Sequence, residues 1–537
     1  TATTIQGLAN RQGPKVFLRQ VNRIWPVAFS FYENRNYREK IGEEVLTKFP
    51  SPDHFWIDYY SKKWGYDFQE VPNLAELIEK NNGVIKGVVR LGDDNPNAEA
   101  AAATIAGLQD LIIVNDEAVK HSPGLAELPV VVDLRERYAK EGTPERNLKN
   151  VEWTIQEFLP GTNSALLFSY KPAQFGYLIF DFAIMNKGFV YHLGSVDPKA
   201  TDPESLKFLA KETTPAGLTH TDQDRMVNKI YEHLKPHGMV WGWDAQSENA
   251  IARRAGRNGS AVTCCTANNV SFHAAVPARD AMMPRQRRLN PDDVKVEDKY
   301  YITFISGAGD AAHTHTGLMC NGRWLYSGRG KVPFNWTVSP YVVETMPGMM
   351  EAYYEQATDN DYFVNETSGY GYTHPFAIPH EFLPGYAAKI KEASALADTH
   401  YTGLWWSGIQ PESVRREWLK ATGMSGFFSW STPQKVIFTE GGPTEIQSER
   451  FFRPHYWPKE DSSLTPAAHA AGLMAQMKDV PKPWFIVIYD LDPNFAEETM
   501  KLLPEDDFKA VLMDEFFIAA DKAKDKVEGR TVESVKY

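Results

Sequence analysis

From Lys299 onward, short apolar runs alternate with longer amphipathic stretches, and this alternation constrains the fold more than any other feature of the chain. Strands are expected at Tyr300 to Ile305, Tyr362 to Val364, Tyr401 to Leu404, Phe427 to Ser429, Lys435 to Phe438, Trp484 to Tyr489 and Ala510 to Met513. Helices are expected at Glu344 to Gln356, Gly385 to Leu396, Pro411 to Thr422, Ala467 to Met477 and Phe495 to Leu503. Strand, helix and strand in sequence build parallel sheets, because the crossover returns the chain to the edge where it began. About seven such units fit an open or closed (β/α) barrel, and a doubly wound sheet nearly as well.

The first half reads as smaller α/β modules. Thr3 to Leu8 and Lys15 to Leu18 are expected as short strands. Val84 to Leu91, Leu111 to Val114 and Val130 to Leu134 are expected strands, with a helix over Asn97 to Leu108 between the first two. No GxGxxG follows the first of these, so no dinucleotide site is expected. The polar stretch Glu141 to Asn150 marks a boundary, followed by a helix over Val151 to Pro160. Strands at Met239 to Trp243 and Ala261 to Cys265 end near Asp244 and Asn268, and Asp181 follows an apolar run. Acids and amides in such places either bind ligands or cap turns. Pro284 to Asp298, with Arg285, Arg287 and Arg288, reads as a linker. The expected modules are 1–82, 83–148, 149–283 and 284–537.

A formal net charge of -12 argues against nucleic acid as a partner. No apolar run reaches the ~18 residues of a membrane span; the run Phe175 to Met185 is interrupted by Asp181. Three cysteines, Cys264, Cys265 and Cys320, leave open one bridge to Cys320 with one free thiol. Asn258, Asn269, Asn335 and Asn365 open N-glycosylation sequons, usable only in a eukaryotic host.

Gly369-Tyr370-Gly371-Tyr372-Thr373-His374-Pro375 is the most distinctive short segment. Glycine permits tight turns, tyrosine offers an apolar face with a polar tip, and proline stops regular structure. Such a loop is either a packed turn or a wall for a sugar ring. It resembles the signature of the GxGYxYP family of glycoside hydrolase-like proteins: Gly369, Gly371, Tyr372 and Pro375 match, and His374 replaces a tyrosine. Thr4 to Arg11 looks like that family's N-terminal LQGLxNR segment. Asn268 to His273 and Tyr300 to Pro375 follow its pattern too. The resemblance implies a secreted protein in which small N-terminal α/β modules precede a C-terminal (β/α) barrel of the glycoside hydrolase/deacetylase type.

In such a barrel the residues just past each strand share one mouth. Asp310, Glu344, Asp361 and Glu440 are the candidate catalytic acids, since most glycosidases use a pair of carboxyl groups. Gly369, Tyr370, Gly371, Tyr372, His374, Trp405 and Trp406 are the candidate sugar-binding residues. The family segment around Asp310 reads like SDGDN, whereas this chain has Ala308 and Ala311 in place of the first acid and the asparagine. That departure favours, as an alternative, a glycan-binding or assembly protein without turnover. His313 and His315 beside Asp310 raise a third reading, a metal-dependent polysaccharide deacetylase. The spacing is not that of the deacetylase pattern, and no metal or cofactor is expected. The expected partner is a carbohydrate.

Overall fold

The computed structural model describes the chain apart from residues 20–51, 93–94, 139–142, 171–178, 195–205, 208, 211–217, 244–247, 264–266, 279–285, 307–311, 313, 321–322, 366–367, 405–411, 431–432, 441, 449–464, 490–492 and 533–537. It divides into two compact units. One comprises Thr1–Arg19, Asp67–Pro277 and Tyr372–Tyr386; the other comprises Gln20–Tyr66, Ala278–Gly371 and Ala387–Tyr537.

The first unit holds two parallel sheets. Strands β1 (Val88–Leu91), β2 (Ile112–Asn115) and β3 (Val130–Asp133) pair in the order β2-β1-β3. The helix Pro96–Gln109 makes the crossover, with Asn95 capping its first turn and Asp110 ending it in the left-handed conformation. Strands β4 (Leu166–Ser169), β5 (Phe189–Tyr191), β6 (Met239–Gly242) and β7 (Ala261–Thr263) pair in the order β5-β4-β6-β7. The described part of the polar stretch Glu141 to Asn150 belongs to the helix Thr143–Glu157.

The start of the chain corrects the reading from sequence. Thr3 to Leu8, expected as a strand, lies in the helix Ala2–Asn10. Its β-branched residues favour a strand, but Ile5, Leu8 and Ala9 recur at helical spacing and all are buried. Lys15 to Leu18 is extended without a ladder. Asn10 Oδ1 accepts from the Lys15 and Val16 N–H groups (2.9 and 2.8 Å). Asn269 Oδ1 accepts from the Leu18 N–H (2.8 Å), and Asn269 Nδ2 donates to the Leu18 carbonyl (3.0 Å). Side-chain amides thus satisfy a backbone that lacks a neighbouring strand.

The second unit is built on a ten-stranded sheet. Its strands are β8 (Tyr300–Ile305), β9 (Phe334–Val338), β10 (Asp361–Asn365), β11 (Tyr401–Leu404), β12 (Gly426–Trp430), β13 (Gln434–Ile437), β14 (Thr444–Ser448), β15 (Trp484–Tyr489), β16 (Phe508–Ala510) and β17 (Thr531–Val532). The order is β15-β8-β9-β10-β11-β12-β14-β13-β17, with β16 also on β8. The sheet curls. Ser448 Oγ accepts from the Val487 N–H (3.1 Å) and donates to its carbonyl (3.3 Å), so β14 and β15 approach each other although no ladder joins them. The sheet is therefore a curled half-barrel of mostly parallel strands.

Four differences from expectation stand out. Phe334–Val338 and Thr444–Ser448 are strands that the sequence reading left as loop. Their polar residues disguised them: Asn335 Nδ2 donates to Thr303 Oγ1, and Ser429 Oγ donates to Glu445 Oε1, so polarity is absorbed inside the curl. β13 is antiparallel to β14, not another βα unit. The helix expected at Glu344 to Gln356 is two helices, Pro340–Thr345 and Pro347–Gln356, because Pro347 drives Met346 out of helical conformation. Met513, expected to end a strand, opens the helix Met513–Lys522, whose Phe517 stacks on Tyr401 (4.9 Å) and whose Phe516 meets Phe485 (5.4 Å). Tyr401 and Phe485 stand at the amino ends of β11 and β15, so this helix fills that end of the curl.

Candidate active site

Open and closed parallel sheets expose their ligand sites at the carboxyl ends of the strands. At that edge of the curl, Ser306 follows β8 and is tied to β9: its Oγ accepts from the Thr337 N–H (3.0 Å) and its carbonyl from Thr337 Oγ1 (2.9 Å). Ser339 follows β9 and precedes Pro340 at the first turn of the helix Pro340–Thr345. Proline at that position costs no hydrogen bond and presets the backbone angle. This short helix carries Tyr341 and Glu344, the latter exposed.

The loop after β10 brings the glycine–tyrosine segment to the same place. Ser368 and Gly369 both have positive φ (62° and 89°). The Ser368 N–H donates to the Gly403 carbonyl of β11 (2.8 Å). Ser339 Oγ donates to the Tyr370 carbonyl (3.1 Å), and the Tyr341 and Tyr370 rings meet edge to face at 5.5 Å. The Tyr370 hydroxyl then donates to Glu344 Oε2 (2.9 Å). A carboxylate so held is restricted in rotamer and keeps an exposed side.

The predicted residues fall into four groups. Glu344, Gly369, Tyr370 and Gly371 meet at the carboxyl edge of the curl. Asp361 and Glu440 lie at the opposite edge. Asp361 is the first residue of β10, and both its oxygens are taken by protein: Oδ1 accepts from Trp336 Nε1 (2.7 Å), and Oδ2 from Arg329 (2.7 Å) and from the Thr358 N–H and hydroxyl (2.8 Å each). Glu440 lies in the turn between β13 and β14. Because β13 runs antiparallel, that turn sits at the amino end of β14. Asp310, Trp405 and Trp406 lie outside the described residues, as do His313, Asp244, Cys264 and Cys265.

Tyr372 and His374 belong to the first unit. Tyr372 exchanges both backbone hydrogen bonds with Val262 of β7 (2.8 Å each), and its ring lies 5.6 Å from that of Trp243. Thr373 Oγ1 donates to the Ala252 carbonyl (3.4 Å). Tyr370, Tyr372 and His374 are 4%, 3% and 0% exposed, so their rings are packed.

Burial holds the His315 imidazole, in the turn Thr314–Leu318, down at about 3, so it is neutral at ordinary pH. Cys320 is a free, buried thiol whose ionisation burial opposes. Among the described residues no group of three or more His, Cys, Asp or Glu side chains converges to hold a metal ion. No described helix is long and apolar enough to cross a membrane. Sequence reasoning missed Ser339 and Tyr341 as supports of Glu344, although Ser-Pro before an apolar run is a helix-start signal.

Fold and site together define a mixed α/β protein with a curled, mostly parallel sheet and a tyrosine-held carboxylate at the carboxyl edge of its strands. Residues 298–520, which span most of that sheet, match the family described as "GxGYxYP putative glycoside hydrolase C-terminal domain". Among solved structures, a crystal structure described as a "putative hydrolase" from Bacteroides thetaiotaomicron VPI-5482 shares the fold, with a TM-score of 0.73 and 17% identity over 97% of this chain and 92% of that one. Comparison with curated proteins gives no match.

Proposed function

We propose that the curled-sheet unit is a glycoside hydrolase whose chemistry is carried by carboxyl groups at the carboxyl edge of the sheet, with Glu344 as the ionised member of the pair. The observation that carries this reading is the hydrogen bond from Tyr370 to Glu344, which orients an exposed carboxylate just where parallel sheets receive substrates. Asp310, soon after β8 in sequence, is the proposed partner that protonates the leaving oxygen. Glycoside cleavage needs this division, one acid to protonate the departing sugar and one carboxylate to attack the anomeric carbon or activate water. Trp405 and Trp406 are proposed as sugar-stacking faces, and the approach of β14 to β15 supports a closed barrel as the working architecture. The proposed setting is extracellular or periplasmic.

A second reading is a glycan-binding protein without turnover. It is favoured by Ala308 in place of an expected acid and by the location of Asp361 and Glu440 at the far edge. Reducing-end release from a broad glycan panel, with binding recorded on the same panel, separates the two. Under the hydrolase reading, Glu344→Gln and Asp310→Asn each lower release by about 10²-fold or more while binding persists. Binding by the wild type with no release from any glycan would establish the second reading instead. Acetate release from acetylated glycans without new reducing ends, lost on chelation, would point to deacetylase-type metal chemistry.

A further inference from the structure

The two edges of the curled sheet differ in charge. At the amino edge, bases and acids are paired. Lys299, before β8, meets Glu297 (3.6 Å), and Lys331, before β9, meets Glu497 (3.3 Å). Arg329 meets Asp361 at the start of β10 (2.7 Å), and Lys509 of β16 meets Glu515 (2.9 Å). Lys482, just before β15, pairs with Asp507.

The carboxyl edge is built otherwise. Strands β8, β9, β10, β11, β12, β14 and β15 run parallel to their neighbours in this set, so the stretches that follow them share that edge. After all of these but β14 come 306–313, 339–344, 366–371, 405–411, 431–433 and 490–492. None of these stretches contains lysine or arginine, although those two residues make up 57 of the 537 in the chain. The same stretches contain Asp310, Glu344, Glu366, Asp490 and Asp492. The stretch after β14, 449–464, is balanced, with Arg450, Arg453 and Lys459 against Glu449, Glu460 and Asp461. Lys435, near this edge on β13, pairs in register with Gln447. It therefore lies on the sheet face opposite Ser448, which turns toward β15.

Glu344 carries the same polarity at the level of one side chain. It is held by the Tyr370 hydroxyl, and no cationic side chain pairs with it among the described residues. Its charge is oriented but not neutralised. A cleft lined by one sign of charge repels ligands of that sign and concentrates the other. Uronate and sulfate groups are recognised by arginine forks and lysine ammoniums. Sugar hydroxyls donate to carboxylates, and a sugar ammonium pairs with them.

We infer that the glycan taken at this edge carries no anionic groups and is built of neutral sugars or of sugars bearing a free amine. The inference rests on the hydrolase reading for where the glycan sits, and it narrows the substrate class of that same site.

The test uses the full chain and hexasaccharides. Cellohexaose, xylohexaose and mannohexaose are the neutral probes. The glucosamine hexamer, below the pKa of its amines, is the cationic one. Hexagalacturonate and a heparin hexasaccharide are the anionic ones. Each is compared by its Kd in calorimetry, or by KM where it is cleaved, and reducing-end release is recorded on the same set. In low salt the best neutral or amine-bearing probe should bind at least about tenfold more tightly than either anion. The gap should narrow in about 0.5 M NaCl, where repulsion is screened. The inference is overturned if an anion binds as tightly as the best of the other probes, or if no neutral or amine-bearing probe binds. A gap that salt leaves unchanged overturns it too, since shape rather than charge would then exclude the anions. The hydrolase reading fails separately. Binding of a neutral or amine-bearing probe with no new reducing ends from any probe removes turnover and keeps the inference, whereas release from an anionic probe alone keeps turnover and removes the inference.

Discussion

Two independent demands select glycine at position 369. Its φ of 89° lies in the left-handed region, and an added Cβ would sit 2.9 Å from the Ile390 side chain. Gly369→Ala is therefore expected to destabilise the protein by about 2 kcal/mol in chemical denaturation. Tyr370 was legible as special but not in its role. The sequence leaves it as part of a packed turn or of a sugar wall; its ring is buried, and its hydroxyl donates to Glu344. A sequence names side chains without naming their neighbours, so an aromatic that stacks on a ligand and one that orients an acid read alike. Under the hydrolase reading, Tyr370→Phe lowers kcat about tenfold with KM little changed, as expected for loss of orientation without loss of binding. Asp361 shows the opposite case. Its carboxylate is fully buried against Arg329 and Trp336, so Asp361→Asn should cost about 3 kcal/mol of stability while the activity per folded molecule is kept.

At the scale of elements, the helices Phe180–Met185 and Val270–Ala275 place two buried titrating groups in the first unit. Burial raises Asp181 to about 6, partly offset by the Ser271 hydrogen bonds, and lowers His273 to about 3. For Asp181 the folded value lies above the unfolded one, so its contribution is fully present below about pH 4 and is lost as pH rises through 6. For His273 the folded value lies below, so its contribution is present above about 6.5 and is lost as pH falls toward 3. Asp181→Asn should therefore raise stability by about 3 kcal/mol at pH 7 and change it little at pH 4 in urea titrations at the two pH values. Most apolar strands and their helices were legible, because burial on both faces leaves long apolar runs: Tyr300–Ile305, Tyr401–Leu404 and Trp484–Tyr489 fall where the sequence puts them. Strands with polar interiors, such as Phe334–Val338 and Thr444–Ser448, were not, since their hydrogen-bond partners lie on other strands.

On the scale of the whole molecule, the amino end of the curl depends on one helix. Phe517 stacks on Tyr401 and fills the space where Gly426 has no side chain; a Cβ there would lie 2.6 Å from the ring. Thr444 Oγ1 and Asp521 join the far end of that helix to β14 (2.5 Å). Phe517→Ala should cost about 4 kcal/mol in denaturant unfolding, the cavity term adding to the lost burial.

The interleaving of the two units has a consequence for how the chain is made. Residues leave the ribosome in order, and each unit is assembled from three separate stretches. The backbone pairing of Tyr372 with Val262 cannot form until the second unit is already partly synthesised. Likewise Trp56, whose indole donates to the Thr316 carbonyl (2.9 Å), must wait through most of the first unit for its partner. The first unit can be completed only once Tyr372–Tyr386 has emerged, after two of the second unit's three stretches, and the second only once Ala387–Tyr537 has followed, so synthesis of the two units overlaps rather than running one domain after another.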